Sequence, residues 1–146
     1  MNIERYEHLP DAQDVYSLED DLSAEDKRVL YLASLTEAAR KGIALSEDDT
    51  FDWLDKLAGD TVAVSRDDET DEILGMIAYN ESPERVWVSY LAVTPMERGG
   101  GVGRALIDHV KKQAADRRIV GEATPTSETY YEKLGYDVDE NRKVII

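Results

Sequence analysis

The stretch Leu91-Ala-Val-Thr-Pro-Met-Glu-Arg-Gly-Gly-Gly-Val-Gly-Arg104 joins the end of one apolar run to the start of an amphipathic one through four glycines. Before it, Arg85-Val-Trp-Val-Ser-Tyr-Leu-Ala-Val93 reads as a strand that Pro95 closes. After it, Val102, Leu106, Val110 and Ala114 recur every four residues, which makes one face of a helix apolar. Glycines let a backbone approach a ligand closely, and a helix start offers unpaired N–H groups at a positive dipole end, so a strand, a glycine loop and a helix suit a pyrophosphate. Three glycine patterns compete. The dinucleotide fingerprint G-x-G-x-x-G fails, because it needs glycine where Arg104 or Leu106 stands. The Walker loop fails because no lysine and Ser/Thr follow Gly101 or Gly103. The pattern that fits is Arg-x-x-Gly-x-Gly, spelled Arg98-Gly99-Gly100-Gly101-Val102-Gly103.

Upstream of this stretch the chain reads as an antiparallel meander. Thr61-Val-Ala-Val-Ser65 alternates, Arg66–Glu72 is a charged hairpin turn, Ile73-Leu-Gly-Met-Ile-Ala-Tyr79 is a mostly buried strand, and Asn80–Glu84 turns into the strand at Arg85. Two helices precede the meander, since Ser23-Ala-Glu-Asp26 and Ser46-Glu-Asp-Asp49 match the serine-x-x-acid start signal ahead of helically spaced apolar residues. A first strand from Ile3 to His8 and a helical turn around residues 14–19 complete the amino-terminal half. Downstream, Arg118–Glu122 reads as a strand, Thr126–Leu134 as a helix closed by Gly135, and Lys143–Ile146 as a last strand. Strands and helices mixed around a central meander predict an α+β fold, with a mostly antiparallel sheet flanked by helices in a single domain.

Composition narrows the chemistry. The 146 residues suit one domain, and there is no cysteine, which excludes disulfides, thiolate zinc sites and a cysteine nucleophile. With only His8 and His109 as histidines, no metal site is expected. The net charge of −15 would repel phosphate backbones, so no nucleic-acid partner is expected. The acidity reads as a solvated coat, whether suited to a salty cytoplasm or to a cationic partner. Residues 1–20 carry charges throughout and no run of eighteen apolar residues occurs, so the expectation is a cytoplasmic protein with no membrane partner. Arg98 and Arg104, with no acid between them, give the loop a local positive field over a Debye length of about 8 Å.

Two motifs in order then carry a resemblance. Leu91-Ala-Val-Thr-Pro95 with Arg98–Gly103, followed by Tyr130-Tyr-Glu-Lys-Leu-Gly-Tyr136, resembles the acetyl-CoA loop and the helix end of the GCN5-related N-acetyltransferase family. The match is close over roughly residues 73–146 and holds only in element order before that. The resemblance implies transfer of acetyl from acetyl-CoA to a primary amine by direct attack on the thioester. It implies a domain with residues 1–60 on the acceptor side and 61–146 as the acetyl-CoA-binding core. It implies that the backbone of Leu91, Ala92 and Val93 pairs with pantetheine and polarises the thioester carbonyl, and that Arg98, Gly99, Gly100, Gly101, Val102, Gly103 and Arg104 hold the pyrophosphate. Tyr131 falls at the family's general-acid position, beside the leaving sulfur. With ordinary values of about 10 for tyrosine and about 8.5 for a thiol, full proton transfer is uphill by roughly 2 kcal/mol, so hydrogen bonding to the thiolate carries most of the effect.

The chain also departs from the family pattern. Thr124 stands where an asparagine is common, and it either bonds pantetheine or caps the helix starting near Pro125. Trp87 stands where some relatives place a glutamate base, and Glu84 reads as a solvated turn acid. Trp87 and Ser89 are candidates to line the acceptor pocket, and strict alternation puts them on one face with Leu91 and Val93. His109 reads as a packing or surface residue. Lacking a base, such a site favours amines of low pKa. At pH 7 a lysine-type amine of pKa about 10.4 costs roughly 4.6 kcal/mol to deprotonate, against about 1 kcal/mol for an α-amino group. The acceptor is open between a small molecule and a peptide or protein amine, a homodimer is left open, and the alternative function is a non-catalytic acetyl-CoA sensor or an interaction module.

Overall fold

A computed structural model of the chain describes residues 2–6, 59–70, 73–93, 101–123 and 128–146. The strands are β1 (Asn2–Tyr6), β2 (Thr61–Arg66), β3 (Ile73–Glu81), β4 (Arg85–Val93), β5 (Arg118–Glu122) and β6 (Lys143–Ile145), and the helices are α1 (Val102–Ala114) and α2 (Glu128–Lys133). All six strands form one sheet in chain order. Neighbours are antiparallel except β4 and β5, which run parallel because α1 carries the chain back between them. The fold is the expected α+β arrangement. Strand β4 has the expected bounds, and β3 runs on past Tyr79 to Glu81. The helices expected after Ser23 and Ser46, the turn at 14–19 and the end of the first strand at residues 7 and 8 lie outside the described residues.

The sheet has two apolar faces. Ala63, Ile77, Tyr79, Val86, Val88, Leu91, Val93 and Ile119 form one cluster with Val102, Leu106, Ile107, Val110 and Ala114 of α1. Val62, Val64, Met76 and Ala78, which alternate with them, are also fully buried, so neither face is open to solvent at these positions. Strand β4 changes phase between the two ends of the sheet. Ala78 pairs with Tyr90 but Tyr79 pairs with Val88, so Ser89 is the extra residue of a β-bulge. Trp87 and Ser89 therefore lie on the face away from α1, opposite to Leu91 and Val93. Their expected common face is corrected by this one inserted residue.

Two contacts fix where α1 sits. A side chain on Gly75 would stand 2.9 Å from the Ala92 carbonyl oxygen and 3.0 Å from Cγ1 of Val102, so its absence lets the first turn of α1 lie directly on β3 and β4. At the other end of the helix, Arg117 donates from Nε to Ala114 O (3.1 Å), from Nη1 to Ser82 O (3.0 Å), and from Nη2 to Gln113 O and Glu81 Oε1 (each 2.8 Å). It joins the end of α1 to the β3–β4 turn. The β2–β3 turn is held locally, with Asp67 Oδ1 accepting the N–H groups of Glu69 and Thr70 at 2.9 Å each. Replacing Gly75 by alanine pushes a methyl group into a backbone carbonyl that cannot rotate away. We expect Gly75→Ala to lower the unfolding free energy by about 1–3 kcal/mol, read as a fall in the urea midpoint with an unchanged slope.

Candidate active site

Strand β4 loses β5 halfway along its length. The two pair from Arg85 with Arg118 to Val88 with Gly121, whereas β4 continues to Val93. Over those last residues β4 stays with β3, through Leu91 with Ile77, Ala92 with Met76 and Val93 with Gly75. Strand β5 stays with β6, through Glu122 with Lys143, and Ala123 N–H donates to Arg142 O at 2.7 Å. Among the described residues β4 and β5 therefore part from Ser89 onward, and a gap opens between the two strands that alternate backbone groups of Leu91–Val93 face. Leu91, Ala92 and Val93 are all buried, so these are desolvated polar groups suited to an extended ligand chain.

Helix α1 starts beside the end of β4. Gly101 is its N-cap, with φ 84°, and makes no side-chain cap hydrogen bond. A side chain there would meet nothing, so glycine answers to the left-handed backbone alone. The first turn holds no acid, and its leading N–H groups have no partner within the helix. Gly103 differs. A side chain on it would run into Tyr130 Oη, so the absence of one makes room for a tyrosine of α2. Arg104 is exposed and donates from Nη2 to Leu134 O at 3.3 Å, a second tie between the start of α1 and the end of α2. Val102 is buried against the sheet. Arg98, Gly99, Gly100 and Thr124 lie outside the described residues.

Helix α2 ends as expected at Gly135, with φ 94°. Tyr136 N–H donates to Tyr131 O (3.1 Å) and Gly135 N–H to Glu132 O (3.0 Å), the paired closure of a left-handed helix stop. Tyr131 is 2% exposed and packs in the cluster with α1. Burial, and then the neighbouring Tyr130, pushes its hydroxyl well above the usual tyrosine range, so it stays protonated and can donate. His109, on the same helix as Gly103, has its ring nitrogen Nε2 buried. Burial first, then Arg5 and Lys112, lower its pKa, which fits the packing role and not that of a charged group. Glu84 is exposed in the turn.

One residue escaped the sequence reading. Asp60, just before β2, is 7% exposed, and its Oδ2 accepts a hydrogen bond from Ser89 Oγ at the bulge. Burial pushes its carboxyl pKa up, while Ser89 and Asn80 pull it down. Its only sequence signal is an acid between Gly59 and an apolar strand. Among the described residues no group of three or more His, Asp or Glu is placed to hold a metal.

The family model described as "Acetyltransferase (GNAT) family" matches residues 27–136, and the chain belongs to that family. It is an acyl-CoA-dependent N-acetyltransferase. No curated protein matches the sequence. Among solved structures, Tetrahymena GCN5 is similar at 17% identity, with a TM-score of 0.63 over 96% of this chain and 81% of that one. Escherichia coli ElaA is similar at 16% identity, with a TM-score of 0.62 over 99% of this chain and 96% of that one. An aminoglycoside 6'-N-acetyltransferase complexed with coenzyme A is similar at 13% identity, with a TM-score of 0.60 over 99% and 94%. At these identities the structural likenesses speak for the fold, and the family rests on the sequence match.

The Tyr130–Gly103 contact generates a test. Gly103→Ala alone is expected to cost about 1–3 kcal/mol by overpacking. In the double variant with Tyr130→Ala the clash is absent, so the two effects should fall short of additivity by about 1 kcal/mol or more, measured as a coupling energy in urea unfolding.

Proposed function

We propose that the gap between β4 and β5 receives the pantetheine arm of acetyl-CoA and that the enzyme moves its acetyl group to a primary amine. The observation that carries this reading is the parting of β4 from β5 at Val88, which leaves buried backbone groups of Leu91–Val93 facing a gap beside the start of α1. Backbone N–H groups of that segment bind the arm and polarise the thioester carbonyl, which stabilises the developing oxyanion. Arg98, with the loop Gly99–Val102 and the first N–H groups of α1, holds the pyrophosphate. Gly103 and Arg104 serve this site indirectly, by locking α1 to the helix that bears Tyr131.

The amine attacks the carbonyl carbon, the carbon–sulfur bond breaks, and the electron pair leaves on sulfur. Tyr131 donates a hydrogen bond to that thiolate. Burial makes the tyrosine a weaker acid than usual, so it stabilises the thiolate by hydrogen bonding more than by giving up its proton. The protein acts in the cytoplasm on a small-molecule, peptide or protein amine.

Incubating the protein with acetyl-CoA and a panel of amines, while following release of CoA, tests the reading directly. Steady CoA release that depends on an amine is the expected result; tight acetyl-CoA binding with no turnover on any amine would instead favour a sensor. Tyr131→Phe should lower turnover by about 10²-fold with little change in the acetyl-CoA dissociation constant. Arg98→Glu should show the opposite split, with calorimetry reporting weakened acetyl-CoA binding, and unchanged affinity would remove Arg98 from the pyrophosphate site.

A further inference from the structure

The transfer described above leaves the amine to lose its own proton, and it leaves one buried acid without a task. The bulge residue Ser89 is the first residue of β4 beyond its last pair with β5, so it stands at the closed end of the gap. Its hydroxyl bonds Asp60 Oδ2 and lies 3.2 Å from Ala78 O. Extending the β2–β3 register by one residue puts Asp60 opposite Asn80, which itself pairs with Trp87. Asp60, Asn80, Trp87 and Ser89 thus share the face of the sheet away from α1.

The two faces differ in what they can admit. The pyrophosphate end of acetyl-CoA belongs at the start of α1, and Tyr131 packs with α1, so the cofactor and its leaving sulfur occupy that face. An amine attacking the thioester carbon needs a line of approach the leaving group does not block. That leaves the opposite face, where Asp60 and Ser89 stand.

We propose that Asp60 is the general base of this enzyme, binding the acceptor as an ammonium ion at the closed end of the β4–β5 gap and taking one proton from it, with Ser89 holding the carboxylate in place. The inference rests on the acetyl-transfer reading above. The proton balance is complete. R–NH3+ gives one proton to the Asp60 carboxylate, which later releases it to water. The neutral amine forms the carbon–nitrogen bond, the carbon–sulfur bond breaks, and the nitrogen's second proton leaves as sulfur gains one. The products are the N-acetyl amine, CoA thiol and one proton. Burial supports the role, because it moves the carboxyl upward from the ordinary carboxylate range towards the pH at which it can hold an amine proton. Arg85, stacked 5.6 Å from the Trp87 ring centroid, is the nearest described cation in sequence to this cluster. The other ionisable described groups on this face are the Arg66–Glu4 pair at the far end of β2, Tyr90, and the β5-side residues Arg118, Glu122 and Lys143.

Asp60→Asn keeps the shape and the acceptor for Ser89 Oγ but cannot take a proton. At pH 7, on an amine of pKa near 10 that the parent acetylates, the variant should lose 10²-fold or more in kcat/KM. Acetyl-CoA affinity should stay within twofold of the parent, which serves as the check on folding. The loss should shrink tenfold per pH unit as the amine deprotonates unaided. A purely structural role would give a pH-independent loss, which overturns the proposal, as does full activity at pH 7. Calorimetry of a cationic alkylamine binding to the CoA-loaded protein gives a second reading that needs no turnover. Binding weakened tenfold or more in Asp60→Asn supports the assignment, and equal affinity overturns it. Absence of turnover in the parent would count against the acetyl-transfer reading, and the binding measurement would still decide where the ammonium sits.

Discussion

Strand β5 parts from β4 after Gly121 while it keeps β6, and the candidate site follows from that parting. It pairs with β4 through Gly121, but from Val120 to Glu122 it also pairs with β6, and Val138 bridges to Val144 on the outer side of β6. Strand β4 is held by β3 from Val86 to Val93, apart from the bulge at Ser89. With β4 tied to one partner and β5 to the other, the sheet parts between them at the point where β4 bulges. A gap inside a sheet leaves backbone donors and acceptors unpaired, which is costly in a buried setting unless something else meets them. An extended amide-bearing arm, as we propose for pantetheine, would meet them in the manner of an added strand.

The same region also ties the first turn of α1 to α2. Gly75 lets α1 approach the end of β4, Gly103 lets Tyr130 sit on the first turn of α1, and Arg104 ties that turn to the end of α2. Two of the glycines that look like ligand contacts in the sequence thus do separate jobs: Gly101 supplies a left-handed backbone and Gly103 supplies space for a side chain.

The elements were legible in the sequence where the signal is local. The bounds of β4 follow from Arg85 and Pro95, the apolar face of α1 from a four-residue period, and the end of α2 from Gly135. What escaped depends on residues far apart in the chain. The bulge at Ser89 is a mismatch of register with β3, and nothing within β4 itself announces it, so the faces of Trp87 and Ser89 were assigned by unbroken alternation. Asp60 acquires meaning only through Ser89, 29 residues on, and in the sequence it resembles any acid before a strand. Gly103 sits inside a glycine motif that already accounts for it, which hides the second account given by Tyr130.

Desolvation acts on both sides of the gap in the same direction and with opposite chemical use. On the α1 side it raises the pKa of Tyr131, so the hydroxyl keeps its proton and can act as the hydrogen-bond donor that we propose for a forming thiolate. On the other side it raises the pKa of Asp60, which makes a carboxylate that is ordinarily a poor base hold a proton more firmly. The linkage carries a stability consequence. A carboxyl raised in the folded state favours folding fully below its unfolded pKa of about 3.9 and loses that advantage as pH rises through the folded value. Once ionised, Asp60 therefore works against stability, and a positively charged amine placed beside it would offset the cost. A buried acid bonded to Ser89, the first residue of β4 beyond its last pair with β5, is placed for the ammonium recognition that we propose.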